Sequence, residues 1–229
     1  MDNATMAIFI HEIRNQCLYT EGSFSVFNQS FGQSIPTGVF FSAQATLLSA
    51  SQLASIIWPT SSRNRKRGED IRKILGLPEK HPLNNNRVKS LWDKGDEKLE
   101  KWISNTKGGN VIFDHVGEIN QLDQNTFTEQ DIYRLYDPKT SIFFFRGDGY
   151  NMQAIANAIA DIYSRVTKIH QSLFPDHYTK GTESSSNDNP AKKPAKKKPA
   201  AKKAAPKTAA KPATKKKTAT KSAAKKKKI

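Results

Sequence analysis

Residues 151–174 read NMQAIANAIADIYSRVTKIHQSLF and show the clearest periodic pattern in the chain. Six aliphatic residues recur there every three or four positions: Ile155, Ile159, Ile162, Val166, Ile169 and Leu173. This spacing predicts one amphipathic helix whose apolar stripe has to be covered by other elements. Pro175 ends the pattern, because proline cannot continue a helix.

The sequence before this helix predicts partners of the same kind. Apolar residues at helical spacing predict four earlier helices, over residues 5–31 (bent near Gly22), 39–58, 61–75 and 87–104. Ser61 or Ser62 is the expected N-cap of the third helix. Small residues in the second helix, such as Ala43 and Ala50, would let a neighbouring helix approach closely.

Two short strands are predicted between the fourth helix and the last. Residues 111–113 (VIF) and 141–146 (SIFFFR) are apolar runs bounded by turn residues, and they are expected to pair. Thr128 and Asp131 have the spacing of a capping box that opens a short helical turn. The predicted fold is mainly α: a bundle of four to five helices, with a two-stranded β-hairpin before the last helix and a disordered C-terminal tail.

The C-terminal residues 191–229 differ in composition from the rest of the chain. They contain 17 lysines and no Asp, Glu, Arg or aromatic residue. The whole chain carries +16, from 37 basic and 21 acidic residues, so subtracting the +17 of this segment leaves −1 for residues 1–190. We therefore divide the chain into a helical domain over 1–178, a linker over 179–190 and a basic tail over 191–229.

The composition of the tail predicts disorder and binding to phosphates. It has too few large apolar side chains to offset the entropy of ordering, and its prolines interrupt helices. Lysine acts as a flexible point charge, whereas arginine suits bidentate readout of bases, so binding without sequence preference is expected. The predicted nucleic-acid-binding residues are the tail lysines: Lys192, Lys193, Lys196, Lys197, Lys198, Lys202, Lys203, Lys207, Lys211, Lys215, Lys216, Lys217, Lys221, Lys225, Lys226, Lys227 and Lys228.

The alternation of alanine, lysine and proline in the tail resembles the C-terminal tails of linker histones and the histone-like tails of some bacterial proteins. This resemblance implies DNA as the partner more than RNA. A solubilising tail, or a general polyanion binder that also meets acidic membranes, is the alternative interpretation. A second basic cluster, at residues 63–67, could contact phosphate or form a solvated helix face.

Several classes of function lack their sequence signatures. There is no phosphate-binding loop of the GxxxxGK[ST] type, no HExxH motif and no serine nucleophile elbow. Cys17 is the single cysteine, and the five histidines lie far apart in sequence, so no metal site, cofactor or small-molecule ligand is predicted.

No secretion signal and no apolar run of about 18 residues are found, so we expect no membrane insertion. The expected location is cytoplasmic, on the nucleoid in a bacterium or in the nucleus of a eukaryote.

Two local stretches carry a family resemblance. His81-Pro82 leads into KSLWDKGDEKL at residues 89–99, and Asp137-Pro138 leads through FFFRG at residues 143–147 to the last helix. Together with the order of elements, these stretches resemble the HEPN family of helical bundles over roughly residues 5–172. The resemblance implies either a dimeric, metal-independent ribonuclease, with an arginine and a histidine four to six residues apart, or an inactive binding protein.

The residues at the motif positions indicate a loss of ribonuclease activity. In the register of the family, Lys89 stands where the arginine would be and Lys94 where the histidine would be. Lysine is a poor general base at neutral pH, and Asp93 and Asp96 would keep Lys94 charged. If the resemblance holds, the domain has kept the fold or a homodimer interface without the reaction.

Arg165 and His170 are the remaining candidates for catalysis, because they match the spacing of arginine, four residues and histidine. On a helix, five positions place two side chains about 140° apart, so the pair would need a partner subunit. His170 adjoins the apolar stripe and is expected at its rim.

Three functions are therefore compared. The first is a non-enzymatic protein whose tail tethers a helical domain to DNA or RNA. The second is a HEPN-type ribonuclease that captures its substrate with the tail, and the third is a partner-binding adaptor whose tail serves localisation.

Overall fold

The computed structural model describes residues 1–106, 110–123 and 125–179, and the predicted linker and tail lie outside this part except for residue 179. The described helices are α1 (Asn3–Gly32), α2 (Pro36–Ile57), α3 (Arg65–Leu75), α4 (Asn86–Lys89), α5 (Gly95–Thr106), α6 (Met152–Leu173) and α7 (Asp176–Thr179). The strands are β1 (Ile112–Val116), β2 (Ile132–Asp137), β3 (Ile142–Phe145) and β4 (Asp148–Asn151). The prediction of a mainly α fold with a small sheet before the last long helix is confirmed.

The centre of the domain is the packing of α1 against α2 and α6. The predicted stripe of α6 is buried from Ile155 to Val166, whereas Ile169 is half-buried and Leu173 is 43% exposed. In α2, the small residues Ala43, Ala50 and Ala54 are fully buried, which lets the neighbouring helix come close. Burying these aliphatic side chains supplies most of the free energy that holds the bundle together.

Local signals explain where the long helices begin and end. The side chain of Asn151 caps α6 by accepting a hydrogen bond from the Ala154 backbone N–H, at 2.8 Å. Pro36 lies in the first turn of α2, where a missing N–H costs nothing. Helix α1 continues through Gly22 without interruption, and a Cβ atom added at this glycine would meet no atom of another element within 4 Å.

Helix α2 is also long and apolar enough, by length and composition, to cross a membrane, which the sequence analysis did not expect. Of its most apolar window, 61% is buried inside the fold. This is the usual position of a core helix, which is apolar because protein surrounds it.

The sheet is larger than predicted, and its pairing differs. The strand order is β1-β2-β3-β4, with β1 and β2 parallel and the other two pairs antiparallel. The expected pairing of residues 111–113 with 141–146 is wrong, because β2 lies between them. No strand was predicted over residues 132–137, only a short helical turn opened by the capping box before them. That box does form, between Thr128 and Asp131, but its helical turn leads directly into a buried central strand.

Two helix predictions also need correction. The fourth predicted helix is divided into α4 and α5, since residues 90–94 form a turn in which Lys94 has a φ of 48°. The third begins as a 3-10 turn over Ser62–Asn64, and Ser61 makes no side-chain capping bond. The first error arises because the apolar spacing, which includes Leu91, continues across the turn. The second concerns residues 61–64, which have no apolar side chain, so only the serines marked the start of the helix.

Gly68 provides a test of how closely α3 packs on the end of α2. A Cβ atom at this position would lie 2.4 Å from Pro59 Cδ and 3.0 Å from the Ile57 carbonyl oxygen. Gly68→Ala should therefore lower the free energy of unfolding by about 1–3 kcal/mol, although alanine is the better helix former. The matched control is Gly22→Ala, which should raise it by roughly 0.5–1 kcal/mol because that site is open. Urea unfolding of both variants measures this, and equal stabilities would contradict the close packing.

Candidate functional site

The first candidate residue, Arg165, is held in a structural role on α6. Its guanidinium forms an ion pair with Asp161 on the preceding turn, with the Nε atom 2.9 Å from one carboxylate oxygen. It also donates to the Gly76 carbonyl oxygen at 2.8 Å, at the end of α3. Arg165 therefore ties α6 to α3.

The second candidate, His170, is buried, and the expectation of a rim position is wrong. Its side chain is 1% exposed because α1 and the unpredicted helix α7 cover it. Its Nε2 atom lies 3.0 Å from Nδ1 of His11, and its Nδ1 atom lies 2.9 Å from the hydroxyl of Tyr178. The ring of Phe174 packs on it, with the two ring centroids 4.5 Å apart.

Electrostatics keeps this buried histidine neutral. Burial lowers the pKa of His170 to about 4, and the nearby charges of Arg14, His11 and His177 act in the same direction. A neutral imidazole can form both hydrogen bonds, because one nitrogen donates and the other accepts. The arrangement joins α1, α6 and α7 and leaves the ring without access to a substrate. Within the described chain, His170 has no contact with Arg165.

The two lysines at the HEPN motif positions are also separate from each other. Lys89 Nζ donates to the Asn84 side-chain oxygen at 2.8 Å, and burial lowers the pKa of Lys89. Lys94 pairs with Glu97 at 3.0 Å, so its charge partner is a different carboxylate from the two predicted. These contacts give no acid–base pair at the motif.

The basic cluster at residues 63–67 is partly used inside the fold. Arg67 donates to the Ser55 carbonyl oxygen at 3.3 Å and lies over the ring of Phe9, 5.1 Å from its centroid. Lys66 forms an ion pair with Asp70 at 3.0 Å. The cluster is thus a weaker candidate for phosphate contact than its sequence indicates.

A cleft that the sequence analysis missed lies between α4, α5 and the β3–β4 turn. Its volume is about 300 Å³. Four basic side chains and one acidic side chain line it: Arg87, Lys98, Lys101, Arg146 and Asp148. Aromatic residues form part of its wall, including Trp102, whose indole N–H donates to the Gln130 carbonyl oxygen at 2.9 Å.

The β3–β4 turn places Arg146 in this cleft with an unusual backbone. Arg146 and Gly147 form the two-residue loop, with φ values of 52° and 80°, as in a type I′ turn. Asparagine or glycine is the usual residue at the first position, since a larger side chain costs about 1–2 kcal/mol in this region. The backbone N–H groups of both residues donate to carbonyl oxygens of β2 at 2.8 and 2.9 Å, which holds the turn in place.

The guanidinium of Arg146 is anchored by a carbonyl rather than by a carboxylate. Its Nη1 atom donates to the Gly95 carbonyl oxygen at 3.0 Å, and the group lies 4.5 Å from the ring centroid of Phe145. Its Nε atom is buried and has no hydrogen-bond partner in the described structure. Leaving a buried donor unpaired costs about 1–3 kcal/mol, and the Nε atoms of Arg14 and Arg67 are in the same situation elsewhere in the described residues.

Positive charge exceeds negative charge in the cleft. Asp148, the one acidic side chain of the lining, forms an ion pair with Arg87 at 3.3 Å and so balances the charge of that arginine. Lys98 donates to the Ser90 carbonyl oxygen. Among the described residues, no carboxylate forms an ion pair with Lys98, Lys101 or Arg146. An anionic group would therefore find three cations without acidic partners around one small space.

Other candidate sites can be assessed from the described part of the chain. No group of three or more His, Cys, Asp or Glu side chains is placed there to hold a metal ion. Burial raises the pKa of the Cys17 thiol to about 12, so it is not a reactive thiolate. The 17 tail lysines predicted to bind nucleic acid lie outside the described residues.

Comparisons of the chain with protein-family models, curated proteins and solved structures give no match. The resemblance to the HEPN family therefore stays a proposal that depends on the quoted motifs.

Proposed function

We propose that this protein binds nucleic acid without enzymatic activity, and that its lysine-rich tail tethers the helical domain to DNA or RNA. The observation that carries this proposal is the tail itself, with 17 lysines and no acidic or aromatic residue over 191–229. Such a segment neutralises phosphates and releases counterions without reading bases. DNA is the first candidate, which would place the protein on the nucleoid of a bacterium or in the nucleus of a eukaryote.

The salt dependence of binding tests this function. If about six lysines engage phosphates at once, the affinity should fall by roughly three orders of magnitude between 50 and 200 mM salt. The measurement is fluorescence anisotropy of the full chain with labelled duplex DNA and with RNA of the same sequence. An affinity that salt leaves unchanged would contradict the proposal. If the domain also dimerises, two tails would raise the avidity further.

The ribonuclease alternative has less support. A general base has to come within hydrogen-bond reach of the proton that it removes, and His170 is covered by α1 and α7. We therefore expect no RNA cleavage by the full chain in EDTA, and no difference between the wild type and His170→Ala. Cleavage that is lost in both His170→Ala and Arg165→Ala would move the enzyme to first place. Far-UV circular dichroism must confirm that both variants fold.

A further inference from the structure

The cleft between α4, α5 and the β3–β4 turn has a charge pattern that the fold alone does not require. Lys98, Lys101 and Arg146 approach one space of about 300 Å³ without a carboxylate partner in the described structure. Like charges that share a small, half-buried space repel one another more than they would in water. A bound anion would relieve this repulsion.

The backbone adds a second, independent observation. Arg146 occupies a position of the turn with positive φ, where asparagine or glycine would be less strained. Two backbone hydrogen bonds, from Arg146 and Gly147 to β2, hold the turn in place. Its buried Nε atom has no partner, although a guanidinium has five N–H donors to satisfy. The Nε atoms of Arg14 and Arg67 are buried without a partner in the described residues as well, so this atom does not by itself mark a site. The feature that points to a ligand is the strained backbone at Arg146, which places the guanidinium in the lining of the cleft, because strained positions are concentrated at binding sites.

We infer that this cleft binds a phosphate group, and that in the proposed function the group is a backbone phosphate of the nucleic acid held by the tail. Arginine offers a planar fork of donors and lysine offers a point charge, and this combination suits phosphate. The volume of about 300 Å³ admits a phosphate with its sugar. The tail would then supply affinity, and the cleft would fix how the helical domain lies on the polymer.

The lining of the cleft favours the phosphate over the base as the recognised group. Trp102 and Tyr150 are only 6% and 5% exposed, so their faces are not free for stacking of a base. Lys101 on α5 is exposed and has no partner among the described residues, so its ammonium group can reach an anion at the mouth of the cleft. The site should therefore accept a phosphate without base preference.

The direct test follows the Trp102 indole N–H in nuclear magnetic resonance spectra of the ¹⁵N-labelled full chain. The probes are inorganic phosphate, AMP and a six-nucleotide single-stranded DNA, each added at constant ionic strength. The indole of Trp58, which donates to the Pro78 carbonyl oxygen outside the cleft, is the internal reference. We expect the Trp102 signal and the Lys101 and Gly147 amide signals to shift, while the Trp58 signal stays in place.

The phosphate could come from a nucleic-acid backbone or from a free nucleotide, and these two ligands should saturate the Trp102 shift at different concentrations. If the cleft binds a nucleic-acid backbone, the oligonucleotide should saturate the Trp102 shift at a far lower concentration than AMP. Equal or tighter binding of AMP would support the phosphate site and overturn its assignment to the polymer. If none of the three probes shifts the cleft signals, the inference is wrong.

A double variant in the cleft and a matched control outside it test whether the cleft contributes to oligonucleotide binding. Lys98→Gln with Lys101→Gln should abolish the Trp102 shift, weaken oligonucleotide binding about tenfold and reduce the salt slope by about two. The matched control is Lys73→Gln with Lys80→Gln, which removes the same charge from residues that do not line the cleft. Because Lys98 also contacts the Ser90 carbonyl, Lys101→Gln alone is the variant least able to disturb the fold, and it should weaken binding about threefold.

The results separate this inference from the proposed function. If the oligonucleotide binds the full chain without moving the cleft signals, the tail function stands and the cleft inference is overturned. If the oligonucleotide does not bind but AMP and phosphate shift the cleft, the site stands and the tail function fails. Identical affinities of the cleft variant and its control would also overturn the assignment.

Discussion

Removal of residues 190–229 should reduce the affinity for duplex DNA at 50 mM salt by roughly three orders of magnitude or more. The deletion removes all 17 tail lysines, and the remaining residues 1–189 carry a net charge of −1. Since non-specific binding comes almost entirely from the neutralisation of phosphates, a chain with this charge retains little long-range attraction. The measurement is anisotropy with a labelled duplex, repeated over a salt series.

Two controls make this deletion informative. A full-length variant with the order of residues 191–229 shuffled keeps the number of lysines, so its affinity should stay within about twofold of the wild type. Circular dichroism and thermal unfolding of residues 1–189 show whether the truncated chain is folded. Binding by folded residues 1–189 with the full affinity would refute the tail function, and a large loss on shuffling would refute binding through charge alone.

Local signals in the sequence predicted much of the helical core. For α6, the apolar stripe, the capping Asn151 and the terminating Pro175 all lie within the segment itself, and the predicted range 151–174 agrees with Met152–Leu173. The stripe of α2 was equally clear because it repeats over several turns. Signals of this kind are available without any knowledge of tertiary contacts.

Features that depend on distant residues were missed. The cleft joins Arg146 to Gly95, which are 51 positions apart, and no local pattern relates them. The burial of His170 depends on α7, which at four residues is too short to show a helical period. Strand β2 was missed for a similar reason, since six residues between a capping box and a proline resemble a turn. An arginine before glycine between two short strands was the only signal in the sequence for the strained turn.

Acidification should destabilise the folded domain between about pH 6.5 and pH 4 because His170 resists protonation. Burial lowers the pKa of His170 in the folded chain to about 4, whereas a histidine in an unfolded chain has a pKa near 6.5. The unfolded chain therefore binds the proton more strongly, and the free energy of unfolding falls as the pH falls through this window. One pKa unit corresponds to about 1.4 kcal/mol, so the complete effect is roughly 3 kcal/mol.

Among the other groups with a shifted pKa, the carboxyls can be separated from His170 by the pH at which they titrate, whereas His81 cannot. Burial also lowers the pKa of His81, so this histidine acts in the same direction within the same window. Hydrogen bonds hold the pKa of three carboxyls, Asp2, Asp70 and Asp123, below the ordinary value of 3.8. Their stabilising contribution is complete above that value and is lost only at lower pH. The loss between pH 6.5 and pH 4 therefore reports on the histidines.

Urea unfolding of the full chain at a series of pH values from 7.5 to 4 measures this dependence. His170→Gln should be less stable than the wild type at pH 7.5, because a smaller side chain replaces the ring that contacts His11 and Tyr178. Its stability should then change less with pH, since the group that titrates has been removed. The control His115→Gln alters a histidine on β1, outside this cluster, and should keep the acid dependence of the wild type. Parallel curves for the wild type and His170→Gln would show that the acid sensitivity has another source. A flatter curve for His170→Gln alone would attribute it to the histidine that joins α1, α6 and α7.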